Sequence, residues 1–302
     1  MSLNSVNTNM GAMIALESLN RTNSDLAATQ KRVSTGYRVA DSTDDGAAYA
    51  VAQSVRSTVG ALTTANQQLG NVQGLLSTTQ SGLNNISNTM ASMRDVLVSL
   101  ADANVQGDQR RQYTVQYQSL LANVNTFIQD AGYSGKTLIG AVSGSNGKFG
   151  RVATVRNEFG ASYALATFGS SAMFKAINFG SIAAMGSAAS GKWTIGAGTA
   201  VLAYGAGTVA KALTTTGAFL KQMAAVGTAL NTVGSEVNYV KNQISYNSDK
   251  VDALNTGLGS LVDADLAKES AQLQALQIRQ QLGTQALSLA NQAPQTLLSL
   301  FK

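Results

Sequence analysis

From Val55 to Leu100 an apolar residue recurs at every seventh position: Val55, Leu62, Leu69, Leu76, Leu83, Met90 and Leu97. A second series follows three residues behind the first, through Ala65, Val72, Thr79, Ile86, Met93 and Leu100. The pattern returns late in the chain as Val226, Val233, Val240, polar Asn247, Leu254 and Leu261, with Leu230, Val237, Ile244, Val251 and Leu258 offset. Spacings of three and four that persist this long place a narrow stripe on a helix, the seam of a coiled coil. A narrow stripe cannot bury itself. These helices therefore need each other, or another copy of the chain.

The same grammar divides the rest of the chain. A first helix is predicted from Ser5 to Val33, its apolar face marked by Met10, Met13, Leu19, Leu26 and Val33, and Thr35-Gly36 ends it with a left-handed cap. The corner Asp41-Ser-Thr-Asp-Asp-Gly46 offers N-capping acids to a helix from Ala47 to Ala103, roughly 80 Å long at 1.5 Å per residue. A third helix runs from Gly107-Asp108 to Ala131-Gly132, with Tyr113, Tyr117, Leu120, Val124 and Phe127 on one face, and Tyr133 to Gly140 reads as a turn into a hairpin. Helix resumes from Gly217 to Gly259, and a last helix spans Asp263 to Asn291, with Ala275, Leu282 and Leu289 at heptad spacing. Pro294 is expected to interrupt it, leaving Leu297, Leu298, Leu300 and Phe301 as an apolar tail.

Between Ala141 and Thr216 the heptads vanish. Gly recurs every few residues, Lys192-Trp-Thr-Ile195 and Val201-Leu-Ala-Tyr204 read as strands, and Phe168 to Met185 as a short helix. The expected fold is mainly α: a long discontinuous coiled coil and helical bundle built from both chain ends, with a small β-rich or α+β insert. The expected domains are 1–44 with 262–302, 45–140 with 217–261, and the insert 141–216.

Composition narrows the function. Charged residues make up 12% of the 302, about half the usual quarter of a soluble globular protein, so helix surfaces here can pack closely with little charge to desolvate. The absence of His removes the usual general base and commonest metal ligand; the absence of Cys removes disulfides, thiolate nucleophiles and thiol zinc sites. No enzyme chemistry, cofactor or metal is expected. The formal charge is +5, and residues 141–221 hold seven Lys and Arg against Glu158, or 7 − 1 = +6. Those charges are scattered among Gly and Ala rather than gathered beside aromatics, which argues against nucleic-acid binding. The first nine residues have no basic or apolar signal region, and no apolar run long enough to span a membrane occurs.

Both ends of the chain resemble bacterial flagellin. At the amino end the likeness rests on Val6-Asn-Thr-Asn9, Leu19-Asn20, Lys31-Arg-Val-Ser-Thr-Gly-Tyr-Arg-Val39 and Asp44-Asp45-Gly-Ala-Ala48. At the carboxyl end it rests on Asp263-Ala-Asp265, Glu269, Gln277-Ile278, Gln280-Gln281, Leu289-Ala-Asn-Gln-Ala-Pro-Gln295 and Leu297 to Phe301. The overall flavour is similar to alphaproteobacterial flagellins. The resemblance implies a secreted structural subunit of the extracellular flagellum. Residues 1–44 and 262–302 would form an inner tube, the bundle an outer tube, and the insert would face solvent. It also implies export of the unfolded chain by the flagellar apparatus. The implied partners are further copies of the chain or other flagellins, an export chaperone on the last helix, and junction and cap proteins. A hook–filament junction protein is the alternative within this class, and a basic nucleic-acid-binding coiled coil is a third reading.

On this reading Leu3, Val6, Met10, Met13, Leu19, Leu26, Val33, Leu273, Leu276, Leu282, Leu289, Leu297, Leu298, Leu300 and Phe301 are expected to be buried between subunits. A lone helix of this length is marginal in water, so both ends are expected to fold on assembly. The bundle stripe (Val55 to Leu97 with Val226 to Leu261) is expected to pack within one chain. The flagellin segment read by an animal immune receptor resembles Ala91 to Val98, with Met93, Arg94, Asp95 and Val96 the candidate residues. Ser92 replaces the motif's upstream basic residue, which implies weak activation. The acids Asp41, Asp44, Asp45, Asp263 and Asp265 read as helix caps rather than ion ligands, and Arg110-Arg111 as surface charge.

Overall fold

The computed structural model of the chain describes residues 9–140, 149–168, 206–214 and 218–300. Its helices are α1 (Met10–Thr35), α2 (Gly46–Ala101), α3 (Gly107–Asp130), α4 (Ala206–Ala212), α5 (Ala218–Val262) and α6 (Leu266–Leu300). Among the described residues between α3 and α4 lie two antiparallel ribbons, β1 (Gly132–Tyr133) with β2 (Lys136–Thr137) and β3 (Ala153–Val155) with β4 (Ser162–Ala164). The fold is mainly α with a small β-containing insert, as the loss of heptads after Ala141 foretold. The strands expected at 192–195 and 201–204, and the helix expected beyond Phe168, lie outside the described residues. The chain divides into two compact units, Met1–Val59 with Val251–Lys302 and Gly60–Lys250.

In the first unit α1 ends as its sequence predicts. Gly36 sits at φ 73, a left-handed conformation costly for other residues, and its N–H donates to the carbonyl of Arg32. The chain then pairs with the segment between α5 and α6. Arg38 and Val39 donate backbone N–H groups to the Val262 carbonyl at 2.7 and 3.3 Å, and Ala264 donates to that of Gly36 at 2.9 Å. Val39, Ala52 and Val262 form a small buried core there, with Tyr49, Leu258 and Leu261 against it. Asp45 caps α2 by accepting from Ala48 N–H at 3.0 Å, and Asp265 caps α6 by accepting from Ala267 and Lys268. Asp41 and Asp44 do something else. They grip the Lys31 ammonium at 2.6 and 2.9 Å, and that hydrogen bonding holds both carboxyls well below the usual range.

One expectation is corrected here. Pro294 does not interrupt the last helix, because α6 runs through it to Leu300. The cost of an interior proline is partly the carbonyl four residues back, left without its N–H partner. That carbonyl belongs to Ala290, and the Asn9 side-chain amide donates to it at 2.8 Å.

The second unit is built around the predicted stripes. Leu69, Leu76, Leu83, Met90 and Leu97 of α2 share one buried core with Val226, Val233 and Val240 of α5 and Tyr117, Leu121, Val124 and Ile128 of α3. Leu62 is also fully buried, whereas Val55, Leu254 and Leu261, which belong to the first unit, are half-buried. The β1–β2 hairpin lies on α2 at two glycines. A Cβ on Gly82 would come within 2.6 Å of Ala131 Cβ, and one on Gly74 within 2.9 Å of the Tyr133 ring. Arg110 is more than surface charge: its guanidinium donates to the Leu100 carbonyl at 2.8 Å, closing the C-terminal turn of α2.

The β3–β4 hairpin docks on α5 largely through polar groups. Glu236 Oε1 accepts from the Ala166 N–H at 2.7 Å, while its Oε2 is buried and accepts no hydrogen bond from protein. Burial pushes the Glu236 carboxyl above its ordinary range. The rings of Tyr163 and Tyr239 stack at 4.4 Å, and Arg156 donates to the Tyr239 hydroxyl at 3.2 Å. Asn247, the polar member of the late heptad series, is fully buried. Its Nδ2 donates to Asn66 Oδ1 and to the Arg156 carbonyl, and its Oδ1 accepts from Gln243. Lys250 then pairs with Glu158, whose carboxyl that hydrogen bond holds low.

Candidate assembly surface

Helices α1 and α6 pack along each other, and the seam between them uses small and medium residues. Ala12, Ala15, Leu19, Leu26 and Val33 recur at three, four and seven on α1 and are half-buried, with Thr29 fully buried among them. On α6 the inward series is Leu273, Leu276, Gln280, Gly283, Leu287 and Ala290. Leu276 is 4% exposed. Gly283 admits Leu19, since a Cβ there would lie 3.1 Å from Leu19 Cδ1. Polar contacts set the register at three heights: Asn9 to Ala290, Gln280 Nε2 to Asn23 Oδ1 at 2.8 Å, and Arg32 to Glu269 at 3.4 Å.

Each helix carries a second apolar stripe, on the side facing away from that seam. On α1 it comprises Met10, Met13 and Ile14, which are 57, 62 and 64% exposed, while Leu16, 47% exposed, sits at the edge of the seam beside Ala12. On α6 it comprises Ile278, Leu282 and Leu289, at 58, 58 and 70%. At 3.6 residues per turn the three α6 positions fall within about 40° of one another, nearly opposite Leu276 and Leu287. An amphipathic surface helix keeps that side polar; these two do not. Six large apolar side chains thus stand in water on the sides of this helix pair that face away from the seam.

The fifteen residues expected at subunit contacts thus fall into groups. Met10, Met13, Leu282 and Leu289 lie on the outward stripes. Leu19, Leu26, Val33, Leu273 and Leu276 lie on the inward series, where a partner exists within the chain. Leu3, Val6 and Phe301, and the side chains of Leu297, Leu298 and Leu300, lie outside the described residues. Ile14 and Ile278 lie on those same outward stripes and Leu16 at the edge of the seam; they fall off the seven-residue steps through Leu19, Leu26 and Val33 and through Leu282 and Leu289, so heptad spacing alone passes over them. In the immune-receptor segment, Met93 and Val96 point into the core and Arg94 and Asp95 are exposed. Among the described residues no His, Cys, Asp or Glu group is arranged to hold a metal, and no helix is long and apolar enough to cross a membrane.

A chain in which α1 packs along α6, and α2, α3 and α5 share a second core, is a helical-bundle protein. Comparison with known proteins makes the class specific. Residues 6–143 match the bacterial flagellin N-terminal helical region, and residues 213–301 match the bacterial flagellin C-terminal helical region. Flagellin FljK of Caulobacter vibrioides is 32% identical with all of both chains aligned, and a flagellin of Brucella melitensis is 32% identical over 99% of each. A solved structure described as a flagellar hook-associated protein from Vibrio parahaemolyticus shares the fold, at a TM-score of 0.52 and 14% identity, over 73% of this chain and all of that one. The chain belongs to the bacterial flagellin family and groups with its alphaproteobacterial members, structural subunits of the flagellar filament.

Proposed function

We propose that this chain builds the extracellular flagellar filament by burying the outward stripes of α1 and α6 against further copies of itself. The observation that carries this reading is the second stripe, Met10, Met13 and Ile14 with Ile278, Leu282 and Leu289, which finds no cover within the α1–α6 pair. Residues 1–44 and 262–302 then form the inner tube and residues 45–140 with 217–261 the outer tube, while the insert faces solvent. The same stripes suit the partners of an export substrate. The unfolded chain passes through the flagellar export apparatus, a chaperone holds α6 before assembly, and junction and cap proteins engage the same helices at the two ends of the filament.

The test is polymerisation from purified subunits. Ile14→Asp and Leu289→Asp each place a charge in the proposed contact, where burial without a partner costs several kcal/mol. Both variants are expected to keep the helical circular dichroism of the parent and to form no sedimentable filaments. Normal filaments from either variant would overturn the reading. A hook–filament junction protein is the second reading, and self-polymerisation of the parent chain separates the two.

A further inference from the structure

All sulfur in this chain is thioether, since it has eight Met and no Cys. Among the described residues the methionines differ sharply in access. Met90 and Met93 are fully buried in the core of the second unit and Met223 is half-buried, whereas Met10 and Met13 are 57 and 62% exposed. The exposed pair sits three residues apart on α1, on the side away from α6, beside Ile14.

We infer that Met10 and Met13 form an oxidative modification site whose conversion to sulfoxides by a peroxide or hypohalous acid blocks assembly through the α1 stripe. This rests on the assembly reading of that stripe. With hydrogen peroxide, a sulfur lone pair attacks one peroxide oxygen, an S–O bond forms and the O–O bond breaks. Sulfur gives up two electrons, the second oxygen leaves as hydroxide, and the proton released from the transferred oxygen converts it to water. The products are one sulfoxide and one water per peroxide.

The consequence follows from where the new dipole sits. On the free subunit, whether this end is already helical or folds on assembly, a sulfoxide at position 10 or 13 faces water and is hydrated, so the subunit has little to lose. The Leu19–Gly283 contact and the Asn9 bonds to Ala12 and Ala290 lie on other groups. In an apolar contact between copies the same oxygen loses its water with no donor to replace it. The penalty therefore falls on assembly alone. Without Cys, no thiol competes for the oxidant. Assembly in turn should shield both sulfurs, so subunits are the vulnerable form.

The experiment treats wild-type subunits with limiting hydrogen peroxide, maps sulfoxides by peptide mass spectrometry and measures the critical concentration for sedimentable filaments. Met10→Leu/Met13→Leu subunits, and each single substitution, are carried in parallel. Met10 and Met13 are expected to oxidise before Met90 and Met93, and the critical concentration to rise about tenfold or more. Methionine sulfoxide reductases of both stereospecificities should restore it. The leucine variants should polymerise untreated and resist the oxidant in proportion to the number of sulfurs removed. Full oxidation at both positions with an unchanged critical concentration would overturn this proposal alone, as would equal loss in the double leucine variant. Failure of untreated wild-type subunits to polymerise would overturn the assembly reading and this proposal with it.

Discussion

The side-chain amide of Asn9 donates to the carbonyl of Ala290 at 2.8 Å, four residues before Pro294, while its Oδ1 accepts from the N–H of Ala12 at 3.1 Å. One residue thus caps α1 and completes the hydrogen bonding of α6 at the place where proline cannot. A helix that should break runs on, and the two helices are fixed in register at that height.

Asn9→Ala is expected to cost about 1–2 kcal/mol in the stability of the α1–α6 pair, from the lost cap and the unpaired carbonyl together. In a Pro294→Ala background the helix supplies its own N–H to Ala290, so the Asn9→Ala cost should shrink towards the cap alone. Amide hydrogen exchange along α1, measured through this double-mutant cycle, checks the coupling. Equal costs in both backgrounds would show that the two residues act independently.

Glu236 gives the second unit a pH dependence with a defined sign. Its folded carboxyl is raised above the ordinary 4.5, so the folded unit binds this proton more tightly than the unfolded chain does. Stability should fall as pH rises from about 4.5 through the folded value and level off above it. The groups facing Glu236 are the Ala166 N–H and the Tyr163 ring, which stacks on Tyr239, and among the described residues no cation forms an ion pair with it. Glu158, held low by Lys250, works in the opposite direction: its contribution is lost as pH falls below the ordinary range. Thermal unfolding of the wild type and of Glu236→Gln between pH 4 and 8 separates the two. The variant should lose the decline on the alkaline side and keep the loss in acid.

Asn247→Ala should destabilise the second unit by roughly 2–3 kcal/mol, because Asn66, the Arg156 carbonyl and Gln243 all lose a partner at a fully buried position. Asn247→Leu restores apolar volume without restoring those bonds. It should therefore loosen the β3–β4 hairpin from α5 even where stability partly recovers, which exchange at the Ala166 amide, bonded to Glu236 of α5, would report.

Gly82→Ala tests the hairpin seat on α2. Despite the higher helix propensity of Ala, the added methyl would meet Ala131 Cβ at 2.6 Å. A net loss of about 1–3 kcal/mol in denaturant unfolding is expected from the forced backbone shift. A gain in stability would mean that residues 131–139 do not rest on this face.

The period of the pattern carries the heptad stripes, the helix limits at Gly36 and Ala131, and the capping acids Asp45 and Asp265, because each depends only on neighbours within a turn or two. The family likeness was legible too, in short motifs at both ends. Three features needed the tertiary structure. Pro294 reads as a break to any local rule, and only Asn9, 281 residues from the Ala290 carbonyl along the chain, supplies the hydrogen bond that proline cannot. Arg110 and Gly82 look ordinary until Leu100 and Ala131 are brought against them. The terminal stripes read as one surface in the sequence, because periodicity records that a residue is apolar and not which neighbour covers it. Packing α1 on α6 covers Leu19 and Leu276 and leaves Met10, Ile14, Leu282 and Leu289 in water. A helix has two sides, and only the position of its partner decides which apolar side remains open.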